Sequence, residues 1–426
     1  RLWDKVVGHL FYNKDDYQIY FKFDKKFKNG KLDIAPLVMP LSSNRDVFSY
    51  PTLPEETFKG LPPVFSDSLP DKFGSLILNK YLQTSGKTIS DLNALERLTY
   101  IGKRGMGALE YHPIIELPLE QRKRIEVSDI VDIARQVLNH KEGIKAKFDS
   151  IEIALSVGTS AGGARAKAII AIDQQTNEIF PGDIMIPNKD VKYYLLKLDG
   201  VIDKELGPTQ GYGKIEYAYS KLAELSGIEM SQTSLYHEND RSHFMTERFD
   251  RINGEKSHMQ TLNSIAVMNY NNPLINSYEQ CFNTMLKMGI NQNDIDQQYR
   301  RMVFNVVAKN LDDHTKNISF LMDKQGNWKL SPAYDITYAY DKNNVWLKQH
   351  QMSIGGKRSG IDKTDLLNIG EKYNVSDKEH IIENVLDGVS NWERVAKELD
   401  IPKESIEKIS SNHELNLESR DDGFDY

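Results

Sequence analysis

The sequence predicts an α+β protein of two lobes, a β-rich one followed by a mainly helical one, with a further α/β unit ahead of both. Three observations predict it. From about residue 150 the chain runs strand, glycine-rich turn, strand. After about residue 215 it becomes mainly helical, interrupted by strand-rich patches around 243–250 and 318–336. Upstream, roughly 110 residues open on a hairpin and close on two helices. At 426 residues the chain is long enough for two or three compact units with real cores.

Composition narrows the class. Hydrophobic residues make up 39% and charged ones 27%, the mix of a globular protein. Lys plus Arg total 54 against 61 for Asp plus Glu, a formal charge of −7, which argues against a dedicated nucleic-acid clamp. The tail from Ile401 holds three Lys/Arg and seven Asp/Glu, −4 by itself, so the preceding 400 residues carry only −3. Any DNA association would therefore come chiefly through a basic partner. The single cysteine, Cys281, excludes an internal disulfide and a Cys-based zinc site. No apolar stretch approaches the roughly 18 residues of a bilayer span, and no signal-peptide pattern opens the chain. The expectation is a cytoplasmic protein with no membrane partner.

The elements follow in order. Val6–Tyr12, the turn Asn13–Asp16 and Tyr17–Phe23 read as a hairpin. Prolines 51, 54, 62 and 63 punctuate the next stretch, and Ser68-Leu69-Pro70-Asp71 looks like a helix entry with acid in the first turn. A second helix is predicted from Ser90 through Leu92, Leu95 and Leu98, stopped by the glycines at 102–107. These signals divide the chain into an N-terminal subdomain (1–113), a helical connector (114–145), a β-rich lobe (146–250), a helical lobe (251–412) and an acidic tail (413–426).

Four stretches carry chemistry. The first, Gly158-Thr159-Ser160-Ala161-Gly162-Gly163-Ala164-Arg165, lies between apolar runs at 151–157 and 166–172, both predicted strands. Glycines let backbone N–H groups cradle phosphate oxygens without interference from a Cβ. It is no Walker loop, because Ala164 and Arg165 stand where Lys and Ser/Thr belong and a strand follows instead of a helix. Kinase-type glycine loops do sit between strands. Alone, a plain glycine hairpin is the simpler reading.

The second is Tyr193–Leu198, a strand carrying Lys197, the type of lysine that grips the α/β-phosphates from the strand after a glycine loop. Glu216 is the helix-borne glutamate available to pair with it. A lysine snorkelling from an edge strand would look the same. The third, Phe244–Arg251, could offer backbone at Glu247–Phe249 to an adenine edge. Without context it is a strand end with a salt-bridge cluster.

The fourth is the strongest. A helix with Tyr299, Met302, Val303, Val306 and Val307 ends at Asn310, then comes Asp312-Asp313-His314-Thr315-Lys316-Asn317. Asp312 and Asn317 have the Asp-x-x-x-x-Asn spacing of a catalytic loop, a carboxylate for the hydroxyl proton and an amide for Mg²⁺. Asp335 arrives after the returning hairpin as a second metal-binding carboxylate. Asp313 competes for the role of base, but its spacing to Asn317 is one short, and a turn residue is its simpler reading.

These residues resemble the HipA family, the kinase toxins of bacterial type II toxin–antitoxin modules, over nearly the whole chain. Gly105–Leu109 looks like the end of that family's N-terminal subdomain, Ser160–Lys167 like its glycine loop, and Glu247–Arg251, Asp312–Asn317 and Ser331–Asp335 like its hinge, catalytic and metal motifs. The resemblance implies a protein-kinase-like two-lobed fold with an additional N-terminal α/β subdomain, and MgATP as cofactor. It implies Asp312 as catalytic base, Asn317 and Asp335 as Mg²⁺ ligands, and Lys197 as the phosphate-binding lysine. Gly162, Gly163, Ala164, Arg165, Ala166 and Lys167 would contact phosphates, and Glu247, Arg248 and Phe249 adenine. His314, Thr315, Lys316, Asn317, Tyr334 and Asp335 would line the nucleotide side of the site. Ser160 matches the family's autophosphorylated serine, where a phosphate would eject the loop by repulsion. The implied partners are a dimeric, DNA-binding HipB-like antitoxin and a protein substrate of translation, an aminoacyl-tRNA synthetase in known members. A small-molecule or lipid kinase on the same scaffold, and a degraded kinase kept as an antitoxin-binding co-repressor, are the rival readings. Asp335 is followed by Ile336-Thr337, not Phe-Gly, so phenylalanine-flip regulation is not implied.

Overall fold

A computed structural model describes residues 1–115, 124–138, 154–155, 165–182, 185–186, 188–201 and 211–417. The chain divides into two compact units, one of residues 1–213, 231–260 and 321–327, the other of 214–230, 261–320 and 328–426. Among the described residues no helix is long and apolar enough to cross a membrane.

In the first unit, β1 (Gly8–Asn13) and β2 (Gln18–Phe23) form the predicted hairpin, and β3 (Val47–Phe48) adds a third antiparallel strand. The hairpin buries Ile19, Phe21 and Phe23, alternate residues on one face, as the period of a strand requires. The helix Lys72–Gln83 begins where expected, but Asp71 is its N-cap, accepting the Gly74 N–H at 2.6 Å, and no acid occupies the first turn. The predicted second helix starts later than Ser90. Ile89–Asp91 form a 3₁₀ turn, and the α-helix runs Ala94–Ile101 behind an Asn93/Glu96 capping box. The box satisfies the free N–H groups at Asn93, which favours that start over the serine.

The connector contains the helix Val127–Leu138. Of the predicted strand 151–157, the two described residues, Ala154 and Leu155, are helical instead. β4 (Lys167–Asp173), β5 (Ile179–Pro181), β6 (Val191–Lys197), β7 (Thr233–Glu238) and β8 (Arg241–Glu247) make an antiparallel sheet of order β5-β4-β6-β8-β7. β6 is its middle strand, so Lys197 does not lie on an edge. The helix Lys72–Gln83, through Phe73, Ile77, Leu78 and Leu82, shares one apolar core with Ile130 and Val131 of the connector and with Ala168, Ile170 and Leu196 of the sheet.

The second unit is mainly helical around a separate core in which Tyr219, Phe282, Met302, Phe304, Ile382 and Trp392 are fully or almost fully buried. Its long helix, Gln292–Val307, starts at the Asn291 cap and ends at Ala308, two residues before Asn310. The strand Ser319–Met322 follows the predicted catalytic loop, and Trp328–Leu330 is the returning strand. The start of the acidic tail is held: Glu414 N–H donates to the Val307 carbonyl at 2.9 Å, and Leu417 is buried.

Candidate active site

Asp312, His314, Asn317, Tyr334 and Asp335 line one cleft within the second unit. Asn310 and Leu311 release the chain from the long helix, and a 3₁₀ turn at Thr315–Asn317 re-enters strand. That turn folds Asn317 back so that its Nδ2 donates to the Asp312 backbone carbonyl at 2.9 Å. That bond uses one N–H of the amide and leaves its oxygen as the acceptor end. The Asp312 carboxylate is about half exposed, with His314 Nε2 at 3.9 Å. Tyr334 Oη donates to the Lys316 carbonyl at 2.6 Å, tying the Ser331–Asp335 stretch to the loop. Lys316 Nζ lies 4.5 Å from the Tyr270 ring centroid, a cation–π contact, and Thr315 is buried.

Asp335 adopts a left-handed backbone with φ of 58°. Aspartate tolerates that region better than most residues, and such positions concentrate where a side chain must be re-aimed. The approach to it is pinned. Arg301 Nη2 donates to the Ser331 carbonyl at 2.7 Å, and Ala333 N–H to the Glu229 carbonyl at 2.8 Å. Burial pushes the Arg301 guanidinium down to about 10.

The deep end of the cleft was not anticipated. Gln298, Arg301 and Asn305 on the long helix, with Asn310 after it, line it alongside Tyr278. Buried polar atoms of Gln298 (Oε1), Arg301 (Nε), Asn310 (Oδ1) and His314 (Nδ1) have no hydrogen-bond partner among the described residues, so the cleft is chemically suited to a polar occupant. The signal was in the sequence: Gln298, Arg301 and Asn305 repeat at three and four residues, a polar stripe beside the apolar one.

Asp313 resolves differently from Asp312. It is 3% exposed, and its carboxylate accepts from Tyr278 Oη at 2.9 Å, His350 Nδ1 at 2.8 Å and the Gln351 N–H at 2.7 Å.

The remaining predicted residues belong to the first unit. Lys197 pairs in register with Lys167 across β4 and β6, and its Nζ is 5.8 Å from the Phe244 ring centroid. Arg165 stacks its guanidinium 3.6 Å from the Tyr212 ring centroid, and the Ala166 carbonyl accepts the Leu198 N–H at 3.0 Å. Lys167 is directed elsewhere than expected. It is 3% exposed and 3.1 Å from Asp71 Oδ2, an ion pair by distance although not aligned as a hydrogen bond. In the stretch expected to be a hinge, Glu247 pairs with Lys192 at 3.0 Å, and the N–H groups of Glu247 and Arg248 are spent on the carbonyls of Gln232 and Tyr193. The Arg248 side chain turns into the buried Asp250 cluster, the salt-bridge reading of this stretch, while Phe249 lies in the turn after the strand. Ser160, Gly162, Gly163 and Ala164 lie outside the described residues. Among the described residues, no group of three or more His, Cys, Asp or Glu is placed to hold a metal.

The chain matches the family model described as HipA-like C-terminal domain over residues 159–412 and that of the HipA N-terminal domain over 1–112. A curated protein of Sinorhizobium fredii (strain NBRC 101917 / NGR234), named "Putative kinase Y4mE", is 25% identical over 304 residues, 65% of this chain and 64% of that protein. The match thus spans just under two thirds of that relative's length. Among solved structures, a chain of the Shewanella oneidensis MR-1 toxin–antitoxin complex of HipA, HipB and operator DNA superposes with a TM-score of 0.63 at 15% identity, covering 97% of this chain and 94% of that one. The likeness is one of fold, α+β. With family models matched over both its N-terminal and its C-terminal regions, the chain belongs to the HipA family.

Proposed function

We propose that this protein is a MgATP-dependent serine/threonine protein kinase acting as a HipA-like toxin. The observation that carries the reading is the meeting of Asp312, Asn317 and Asp335 in one cleft, from a loop and a returning hairpin separated in sequence. The half-exposed Asp312 carboxylate accepts the proton of the substrate hydroxyl, and the bond from Asn317 to its backbone holds it in place. Asn317 Oδ1 and the Asp335 carboxylate form an oxygen donor set with too few protein ligands for a closed cage. That fits Mg²⁺, which keeps waters and leans on substrate phosphates. When bound, the cation neutralises charge on the phosphate oxygens. Lys197 takes the α/β-phosphates, the loop from Gly162 to Arg165 cradles the phosphate chain, and the hinge at Glu247–Phe249 meets adenine. Most of the catalysis is positioning and electrostatic stabilisation.

The name of the Sinorhizobium relative supports phosphoryl transfer, and the Shewanella complex supports a HipB-like, DNA-binding antitoxin as partner. A translation protein, with an aminoacyl-tRNA synthetase first among candidates, is the proposed substrate, and autophosphorylation at Ser160 the proposed self-limitation. The test is labelled ATP with purified protein in a lysate, beside Asp312→Asn. A labelled protein band that the variant abolishes supports the reading. Label confined to lipid or small molecules overturns it, as does no label at all. A Ser160→Ala protein that still silences itself with ATP would sink the self-limitation.

A further inference from the structure

Asp313 sits beside the proposed base yet is sealed from solvent, and three donors converge on it. Two of them, His350 and the Gln351 N–H, come from the segment that follows Asp335; the third is Tyr278 Oη at the start of the helix Tyr278–Lys287. Each donor is itself held. Arg358 donates to the carbonyls of His350 at 3.2 Å, Gln351 at 2.6 Å and Asn276 at 2.9 Å, closing the 350–358 turn. Asn305 donates to Tyr278 Oη at 2.9 Å, and Asn310 to Asn305 at 2.9 Å. His350 is 3% exposed, so its bond to Asp313 is not traded with water.

An anchored side chain at 313 fixes the backbone on one side of Asp312. Asn317, bonded to the Asp312 carbonyl, fixes the other. From this bracket the geometry points to Asp313 and His350 as positioning residues: they join the segment 346–358 to the catalytic loop and hold the Asp312 carboxylate in the orientation needed to take the substrate proton. The inference rests on the kinase reading above. It gives the second aspartate of the loop a distinct role, and it makes the orientation of Asp312 depend on a segment that never enters the cleft.

The experiment compares wild type, His350→Leu and His350→Asn in single-turnover phosphoryl transfer at saturating MgATP, with nucleotide-binding stoichiometry measured on the same samples. Leucine removes the donor, whereas the asparagine Nδ2 falls near the position of His Nδ1. The expected result is a loss in kcat on the order of 10²-fold for His350→Leu, the scale of a misplaced reacting group. Stoichiometry and affinity for nucleotide stay at wild-type levels, and His350→Asn recovers most of the rate. A His350→Leu rate equal to wild type overturns the inference, and so does a loss matched by lost binding stoichiometry, which is misfolding. Failure of the asparagine to rescue also counts against it. A wild type that transfers no phosphate overturns the kinase reading first and this inference with it.

Discussion

Gly107 donates its backbone N–H to the Asp250 carboxylate at 2.6 Å, across 143 residues of sequence. The same carboxylate takes Arg248 through Nε and Nη2 at 2.9 and 2.8 Å and Arg251 Nη1 at 2.8 Å. Arg251 also donates to the carbonyls of Gly105 and Gly107, each at 2.8 Å. Gly105 and Gly107 are thus clasped to the turn at 248–250 and to Arg251 by a cluster of buried, opposite charges.

Gly107→Ala should destabilise the protein. The backbone there has φ of 75°, and a Cβ would stand 2.8 Å from the Met259 nitrogen. The expected cost is about 1–3 kcal/mol, read as a lower urea midpoint at unchanged m-value. An unchanged midpoint would show that the clasp yields without strain.

Asp250→Asn should cost more, about 3–5 kcal/mol, because two buried guanidiniums lose their counter-charge. Burial by itself would raise the Asp250 carboxyl, but Arg248, Arg251 and the Gly107 N–H outweigh it and hold it well below the usual carboxylate range. A folded-state pKa below the unfolded value of 3.8 means that the unfolded chain binds the extra proton. The stabilisation is therefore complete above that value and lost as pH falls below it. Denaturation of wild type and variant should differ most at neutral pH, with the gap closing under acid. A gap that stays constant down to pH about 2 would contradict the assignment.

Lys167 and Asp71 should be energetically coupled. Removing either charge strands the other in a buried site, whereas Lys167→Met with Asp71→Asn removes both. A double-mutant cycle in urea should give a coupling of about 1–3 kcal/mol. A coupling near zero, with nucleotide affinity lost in Lys167→Met alone, would return this lysine to the phosphates.

The wild type should lose its stability advantage over His413→Gln as pH falls. Burial pushes the His413 imidazole down to about 4 from 6.5, with nearby Lys309 adding to the effect. Its Nε2 is 2.9 Å from Tyr219 Oη, whose proton goes to the Ala308 carbonyl at 2.8 Å. Between pH 6.5 and 4 the unfolded chain holds a proton that the folded one refuses. The advantage should be complete above pH 6.5 and shrink toward pH 4 in paired melting curves. Parallel curves would place the pH dependence in other groups.

Local signals were legible where local chemistry decides them. The hairpin at residues 8–23, the long helix ending before Asn310 and the turn carrying Asp312 to Asn317 all follow from periodicity, turn residues and spacing. The start of the second helix was misjudged because Ser90 and Asn93 are both good caps, and the reciprocal bond with Glu96 selects Asn93. The polar stripe Gln298–Arg301–Asn305 shares its helix with a stronger apolar face, and no local signal shows that it lines a cleft.

By itself the sequence determined the family, the order of its motifs and which residue types could perform phosphoryl transfer, because spacing along a chain is a property of the chain. Spacing to Asn317 favoured Asp312 over Asp313, and only the tertiary structure showed what Asp313 does instead. The two are neighbours of identical chemistry, and what distinguishes them is three donors brought from residues 278, 350 and 351. The ion-pair partners of Lys167 and Arg248 were likewise set by the fold, which brings Asp71 to the one and Asp250 to the other. A buried charge takes the nearest opposite charge, and nearness in space is set by packing between segments that the sequence keeps apart.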